Sequence, residues 1–194
     1  KNSWLVPRLR ELYAPHRHRR LVEPFIGSMA VALGLEPECA LLGDVNPYLI
    51  NFYATIQRGL VIAFPMVSDE QLFYLYRDRF NALVRQGTRH GVELAGLFYF
   101  LNKACHRGVC RFNNSGEFNV PFGHYRTVEF RVDFREYAAT LQRWTLARLL
   151  WPTRATSCMW SGRWNLISCM AYSRPAGSRL VPSRIDTGCK PTRR

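Results

Sequence analysis

Glu23-Pro24-Phe25-Ile26-Gly27-Ser28-Met29-Ala30-Val31, followed after nine residues by Leu41-Leu42-Gly43-Asp44-Val45-Asn46, is the stretch on which the fold turns. Its first part closes a short strand-like run, Leu21–Phe25, and its glycine opens a helical stretch, Met29–Leu35. A second strand-like run, Ala40–Gly43, comes next. Strand, glycine turn, helix and strand in that order predict a β-α-β unit and place the chain in the α/β class. A glycine turn lets backbone approach a ligand closely. Asp44 ends the second strand 17 positions after Gly27, where its carboxylate suits the hydroxyls of a ribose. The same residues have a plain structural reading of similar weight, in which Gly27 ends a strand and Asp44 caps the next helix. Met29 occupies a place where a second glycine is common.

Outward from this unit, Asn46 is an N-cap with Pro47 at the first helical position, and Leu49, Ile50, Tyr53 and Ile56 extend a helix to Gly59. Asp69–Arg85 repeats apolar residues at three- and four-residue steps (Leu72, Leu75, Tyr76, Phe80, Leu83), and Val92–Ala104 is nearly all apolar. Both predict helices of a second, inserted lobe. Between Arg107 and Arg126 the chain is rich in Gly and Asn, and Asn113-Asn114-Ser115-Gly116 predicts the turn of a hairpin. From Trp151 onward neither periodicity persists, serines recur, and three of the five tryptophans are found there.

The 194 residues carry 27 Lys plus Arg against 14 Asp plus Glu, a formal charge of +13, which points to a polyanionic partner. The excess is uneven: residues 1–150 account for +6 and the last 44 residues for +7. No apolar run of about 18 residues and no signal-peptide pattern occurs, so the expectation is a cytoplasmic chain without a membrane span. The six cysteines form no C-x-x-C pair and are expected as free thiols, neither disulfides nor zinc ligands. No metal site is expected. The basic run His16-Arg17-His18-Arg19-Arg20 reads as a solvated loop before the first strand, or as a phosphate contact.

Leu97-Phe98-Tyr99-Phe100-Leu101-Asn102-Lys103, then Gly108-Val109-Cys110-Arg111-Phe112-Asn113, then Gly116-Glu117-Phe118-Asn119-Val120-Pro121-Phe122-Gly123-His124-Tyr125 complete the pattern. With the two earlier segments they closely resemble the Dam-type (D12 class) DNA adenine N6-methyltransferases of bacteria and their phages. The resemblance spans roughly Lys1 to Trp144 and keeps the family's order of segments. It implies a Rossmann-like, S-adenosylmethionine-dependent methyltransferase core at 1–60 plus 127–150, partial here. It further implies a mostly helical DNA-recognition lobe with a hairpin at 61–126, and leaves 151–194 as an anomalous basic tail without a native fold. The implied cofactor is S-adenosylmethionine, held at Phe25, Gly27 and Asp44, with Lys1 as the last residue of the family's W-x-G-G-K segment, whose other residues are missing. The implied partner is double-stranded DNA, met by a monomer in the cytoplasm of a bacterial or phage-infected cell. The aligned DNA-contacting positions are His106, Arg107, Val109, Arg111, Asn119, Pro121, Tyr125 and Arg126. An arginine at 111 can read guanine bidentately, Arg107 and Arg126 can neutralise phosphates, and a ring at 106 can fill the space of an extruded base. Some family members carry Tyr-Asn where this chain has His106-Arg107. The plainer reading makes these arginines a solvated face and Phe118, Phe122 and Tyr125 a small hairpin core.

Family members transfer the methyl group with an (N/D/S)-P-P-(Y/F/W) segment, and this sequence contains none. In that segment an Asp or Asn oxygen and a proline carbonyl accept hydrogen bonds from the adenine amino group, and the aromatic ring stacks on the flipped base. No catalytic residue is therefore named. Its place falls just after Thr145–Leu150. Codons that encode Arg154–Trp160 can, in a shifted frame, read Gly-Asp-Phe-Val-Tyr-Val, the kind of strand that precedes the missing segment. The hypothesis is a frameshift between about Trp144 and Pro152, which sequencing of the encoding DNA tests: an unshifted frame without such a strand defeats it. A natural basic extension is the alternative, against which the three tryptophans and three cysteines of the tail weigh. Two other functional readings stand beside the methyltransferase: a noncatalytic DNA-binding fragment of one, and a nicotinamide or flavin enzyme, which leaves the FNVPFG string unexplained.

Overall fold

The first strand stops early because Pro24 has no N–H to give a ladder: β1 is Leu21–Glu23, shorter than the expected 21–25. The computed structural model describes residues 5–148 of the chain. Of the two units into which the chain divides, Lys1–Arg148 and Leu149–Arg194, the second lies outside the described residues. So do Lys1, the tail at 151–194 and most of the proposed frameshift.

A helix α1, Val6–Tyr13, precedes β1. Met29 takes a left-handed conformation (φ +58°), so α2 begins one residue later than the periodicity suggests, at Ala30, and runs to Leu35. β2, Ala40–Asp44, then pairs in parallel with β1 (Leu21 opposite Ala40, Glu23 opposite Leu42). The third strand, β3 at Trp144–Arg148, joins the other side of β2, again in parallel, with Ala40 opposite Trp144 and Asp44 opposite Arg148. The result, among the described residues, is an α/β arrangement with a three-stranded parallel sheet in the order β1-β2-β3.

Between β2 and β3 the chain builds its helices. α3, Pro47–Gln57, starts as its sequence predicts: the Asn46 side chain accepts from the backbone N–H groups of Tyr48 (3.0 Å) and Leu49 (3.4 Å), and Pro47 fills a position whose N–H would have no partner. Its buried residues lie on nearly every side, which marks α3 as the central helix. α5, Val92–Ala104, is similarly apolar and packs along it. Buried Asn51 joins the two. It donates to the Gly91 carbonyl (3.1 Å) and accepts from the Gly91 N–H (3.0 Å). The amphipathic α4, Glu70–Arg85, is capped by Asp69 and covers the outer side of α5, while α6, Arg135–Gln142, packs on α3 before β3. Rings fill the space between: Phe52 stacks on Tyr99 at 5.4 Å, and Tyr48 meets Phe80 edge-on at 5.0 Å.

The expected hairpin at 107–126 makes only isolated antiparallel bridges, Cys105 with Phe122 and Phe112 with Phe118. Two features limit its ladder. Arg107 and Gly108 are both left-handed, and side chains take the backbone groups a ladder would use: Asn81 of α4 donates to the Phe118 carbonyl and accepts from its N–H. The turn itself forms as its residues predict, with Asn113 Oδ1 accepting from the N–H groups of Ser115 and Glu117, and Gly116 at φ +79°. Cys39, expected as a free thiol, is disulfide-bonded, whereas Cys105 and Cys110 are free. The absence of C-x-x-C pairs excludes only that one spacing. No helix among the described residues is long and apolar enough to cross a membrane.

Candidate functional site

Parallel strands deliver the turns that follow them to one edge of the sheet, and here a cleft of about 870 Å³ opens at that edge. Gly27 and Ser28 from the turn after β1, Asp44 and Asn46 from the end of β2, and Tyr53 of α3 line one side. Gly27 is left-handed (φ +45°), and a Cβ placed there would meet nothing within 4 Å, so the turn leaves its Cα face open. The Asp44 carboxylate ties the two turns together: one oxygen accepts from the Gly27 N–H (3.2 Å), the other from the Asn46 N–H (2.9 Å). The Tyr53 hydroxyl donates to the Gly27 carbonyl at 2.8 Å. Burial raises the Tyr53 pKa far above its ordinary value, and the nearby carboxylates of Asp44 and Glu23 raise it further, so the phenol is a neutral donor.

Glu23 ends β1 behind this turn. Burial raises its pKa, opposed by a hydrogen bond from the Ala32 N–H of α2, and its Oε2 is buried without a partner among the described residues. A carboxyl with a raised folded-state pKa stabilises the fold below its unfolded value and loses that contribution as pH rises through the folded value. Glu23→Gln should therefore flatten the fall in melting midpoint as pH rises above the ordinary carboxylate range, measured by calorimetry. An unchanged profile would place the titrating group elsewhere.

The opposite side of the cleft is formed by Tyr48, Arg89, Asn102, Lys103, Cys110 and Phe112, and Arg148 of β3 reaches it as well. Asn46 donates to the Cys110 sulfur at 3.3 Å. Burial pushes the thiols of Cys105 and Cys110 up to about 11, so neither is a ready nucleophile. No group of three His, Cys, Asp or Glu side chains able to hold a metal occurs among the described residues.

From Cys105 to Arg126 the chain forms one loop surface. Its signature string alternates: Phe118, Val120 and Phe122 are buried, while Asn119 and Pro121 between them are exposed. Extended backbone points successive side chains to opposite faces, so the apolar residues anchor the loop on α4 and α5 and deliver the polar ones outward. His106, Arg107, Val109, Arg111, Tyr125 and Arg126 are exposed too, so all eight DNA-contact candidates lie at the surface. Arg111 donates through Nε to Asn119 Oδ1 at 3.1 Å, the His106 N–H is held by the Pro121 carbonyl, and Arg107 stands at φ +56°. Phe25, a cofactor candidate, is 58% exposed and lies next to the glycine turn, outside the lining of the cleft. The basic run His16–Arg20 is exposed before β1, at the other edge of the sheet, where Arg20 donates to Thr145.

The structure thus brings Gly27 and Asp44 into one hydrogen-bonded unit and gathers the eight surface candidates on one loop. Sequence reading missed Tyr53, Asn81, Asn102, Lys103 and Arg89. Tyr53 sits inside an apolar helix and Asn81 in an amphipathic one, and only a three-dimensional partner distinguishes them. Asn102-Lys103 was visible next to Leu101 at the end of a helix, where a polar pair after an apolar run signals a surface.

A family model for D12 class N6 adenine-specific DNA methyltransferases matches residues 3–147. The Retron Ec67 DNA adenine methylase of Escherichia coli is 36% identical over 140 residues, 65% of this chain and 46% of that relative. The DNA adenine methylase of Serratia marcescens is 37% identical over 118 residues, 57% of this chain and 42% of the relative. The DNA N-6-adenine-methyltransferase of Escherichia phage P1 is 38% identical over 125 residues, 61% of this chain and 16% of the relative. The chain spans less than half the length of these curated relatives.

Proposed function

The chain belongs to the D12 class of N6 adenine-specific DNA methyltransferases, and from that premise we propose that residues 5–148 form its donor-binding and DNA-recognising part. S-adenosylmethionine is the donor on this reading and the adenine amino group of double-stranded DNA the acceptor. The observation that carries it is the Gly27–Asp44 unit at the mouth of the cleft. A nucleoside donor fits these residues. The Gly27 Cα face is open, a cleft of about 870 Å³ lies within the range of about 300–1,000 Å³ usual for small-molecule sites, and Asp44 keeps acceptor capacity beyond its two backbone donors for ribose hydroxyls. When bound, S-adenosylmethionine supplies a methyl group on a positively charged sulfur.

The lobe at 61–126 and its loop at 105–126 are proposed to meet DNA. Arg107, Arg111 and Arg126 are exposed cations suited to phosphate or guanine, and Val109 and Pro121 add apolar surface beside them. His106 is the candidate to fill the stack when a base is extruded. Tyr125 completes the surface next to Phe122 and Gly123.

We infer that this chain binds donor and DNA without transferring the methyl group, because its sequence lacks the (N/D/S)-P-P-(Y/F/W) segment that aims the adenine amino group. Two measurements test the reading. S-adenosylmethionine at about a hundred times its dissociation constant should stabilise the chain by about 2.7 kcal/mol, read as a rise in melting midpoint. Labelled methyl incorporation into GATC-rich duplex DNA should not exceed a no-enzyme control. A flat midpoint overturns the donor reading; incorporation overturns the inactivity.

A further inference from the structure

The geometry points to Tyr53 as a positioning residue that sets the glycine turn for the donor, an inference that rests on the donor reading above. Gly27 is held from both sides: its N–H by Asp44 at 3.2 Å, its carbonyl by the Tyr53 hydroxyl at 2.8 Å. A trans peptide is planar, with the N–H of the next residue opposite the carbonyl. Fixing the Gly27 carbonyl on Tyr53 therefore fixes the direction of the Ser28 N–H, antiparallel to that carbonyl within the peptide plane. That N–H meets no acceptor among the described residues, and Ser28 is exposed and lines the cleft. An oriented, unpartnered backbone donor on an exposed residue of the cleft lining suits an anionic oxygen. S-adenosylmethionine carries one anionic group, the carboxylate of its amino-acid end, while Asp44 faces the ribose in the reading above. Tyr53 would thus act at one remove: it touches the turn, and the turn presents the Ser28 N–H to the carboxylate.

The hydroxyl is well suited to this task. It comes from α3, one of the two most buried helices among the described residues, so the contact is anchored in the core and not on a neighbouring loop. Tyr53 itself is 9% exposed, and α3 begins three residues after Asp44, so the end of β2 and the helix that directly follows it supply the two holds on Gly27.

The test compares two ligands by isothermal titration on the full chain and its Tyr53→Phe variant. S-adenosylhomocysteine has the carboxylate; 5′-methylthioadenosine keeps the nucleoside and lacks the amino-acid end. The variant should bind S-adenosylhomocysteine about tenfold more weakly and 5′-methylthioadenosine within twofold of the unaltered chain, with duplex DNA affinity unchanged. Equal loss for both ligands, or loss for neither, overturns the inference, since a general disturbance of the fold would not separate them. A fall in ligand-free melting midpoint of more than roughly 10 °C also overturns it, because the hydroxyl would then serve the fold as a whole. If the unaltered chain binds neither ligand, the donor reading fails first and takes the inference with it.

Discussion

Asp44→Ala is expected to weaken S-adenosylmethionine at least about a hundredfold, abolishing the donor-dependent rise in melting midpoint at micromolar donor. Two hydrogen bonds from ribose hydroxyls to a carboxylate, at about 1.5–3 kcal/mol each, account for that factor. The substitution also releases the N–H groups of Gly27 and Asn46, which the carboxylate holds together. Gly27 is exposed, so water recovers part of the loss, and the ligand-free midpoint should fall by only a few degrees. Asp44→Asn keeps the shape but turns one acceptor into a donor, and should fall between the two. Titration calorimetry distinguishes these outcomes. A dissociation constant within threefold of the unaltered chain would remove Asp44 from the binding site and leave it as a brace between two turns.

The second large effect is expected at Gly123, through the DNA-facing loop. A Cβ there would lie 2.8 Å from the carbonyl oxygens of both Ala104 and Cys105, and 2.5 Å from the Tyr125 ring. The ring can swing aside. The two carbonyls cannot, because they belong to the end of α5 and the bridge that follows it. Gly123→Ala must lift the loop, breaking the bond from its N–H to the Ala104 carbonyl (2.9 Å) and loosening Phe122, so about 2–3 kcal/mol of stability should be lost. Duplex affinity, measured by fluorescence anisotropy at fixed salt, should drop at least tenfold, with donor affinity unchanged because the glycine turn lies elsewhere. Unaltered duplex affinity would show that DNA does not engage this loop.

Much of this arrangement was legible residue by residue, where a local rule applies. Asn46-Pro47 announced α3, the apolar steps from Leu72 to Leu83 announced α4, and the 17-residue step from Gly27 to Asp44 marked two residues that turned out to share a hydrogen bond. The string Phe118–Phe122 carried its own alternation. What could not be read depends on partners far along the chain. Nothing local says that Tyr53 meets Gly27, that Asn81 holds residue 118 or that Asn51 clamps Gly91, because each partner lies at least 26 residues away in the chain. Phe25 illustrates the converse: its motif position suggested a cleft wall, yet Pro24 ends the strand and leaves the ring outside the lining of the cleft. The Ser28 N–H became a candidate only once the direction of a single peptide plane was known.

Opposing Ala40 to Trp144 has a consequence in time. The central strand emerges from the ribosome roughly a hundred residues ahead of its second neighbour, which at about 5–20 residues per second is a wait of about 5–20 s. During it, β2 has only the three-residue β1 beside it, while α3, α4 and α5 lie close enough in the chain to collapse on one another first. Pairings so distant slow folding, and an unpaired apolar strand is the stretch most exposed to other chains while it waits. For this protein the helices would be built early and the sheet last, so any change that delays or alters residues 144–148 strikes at the step that closes the fold.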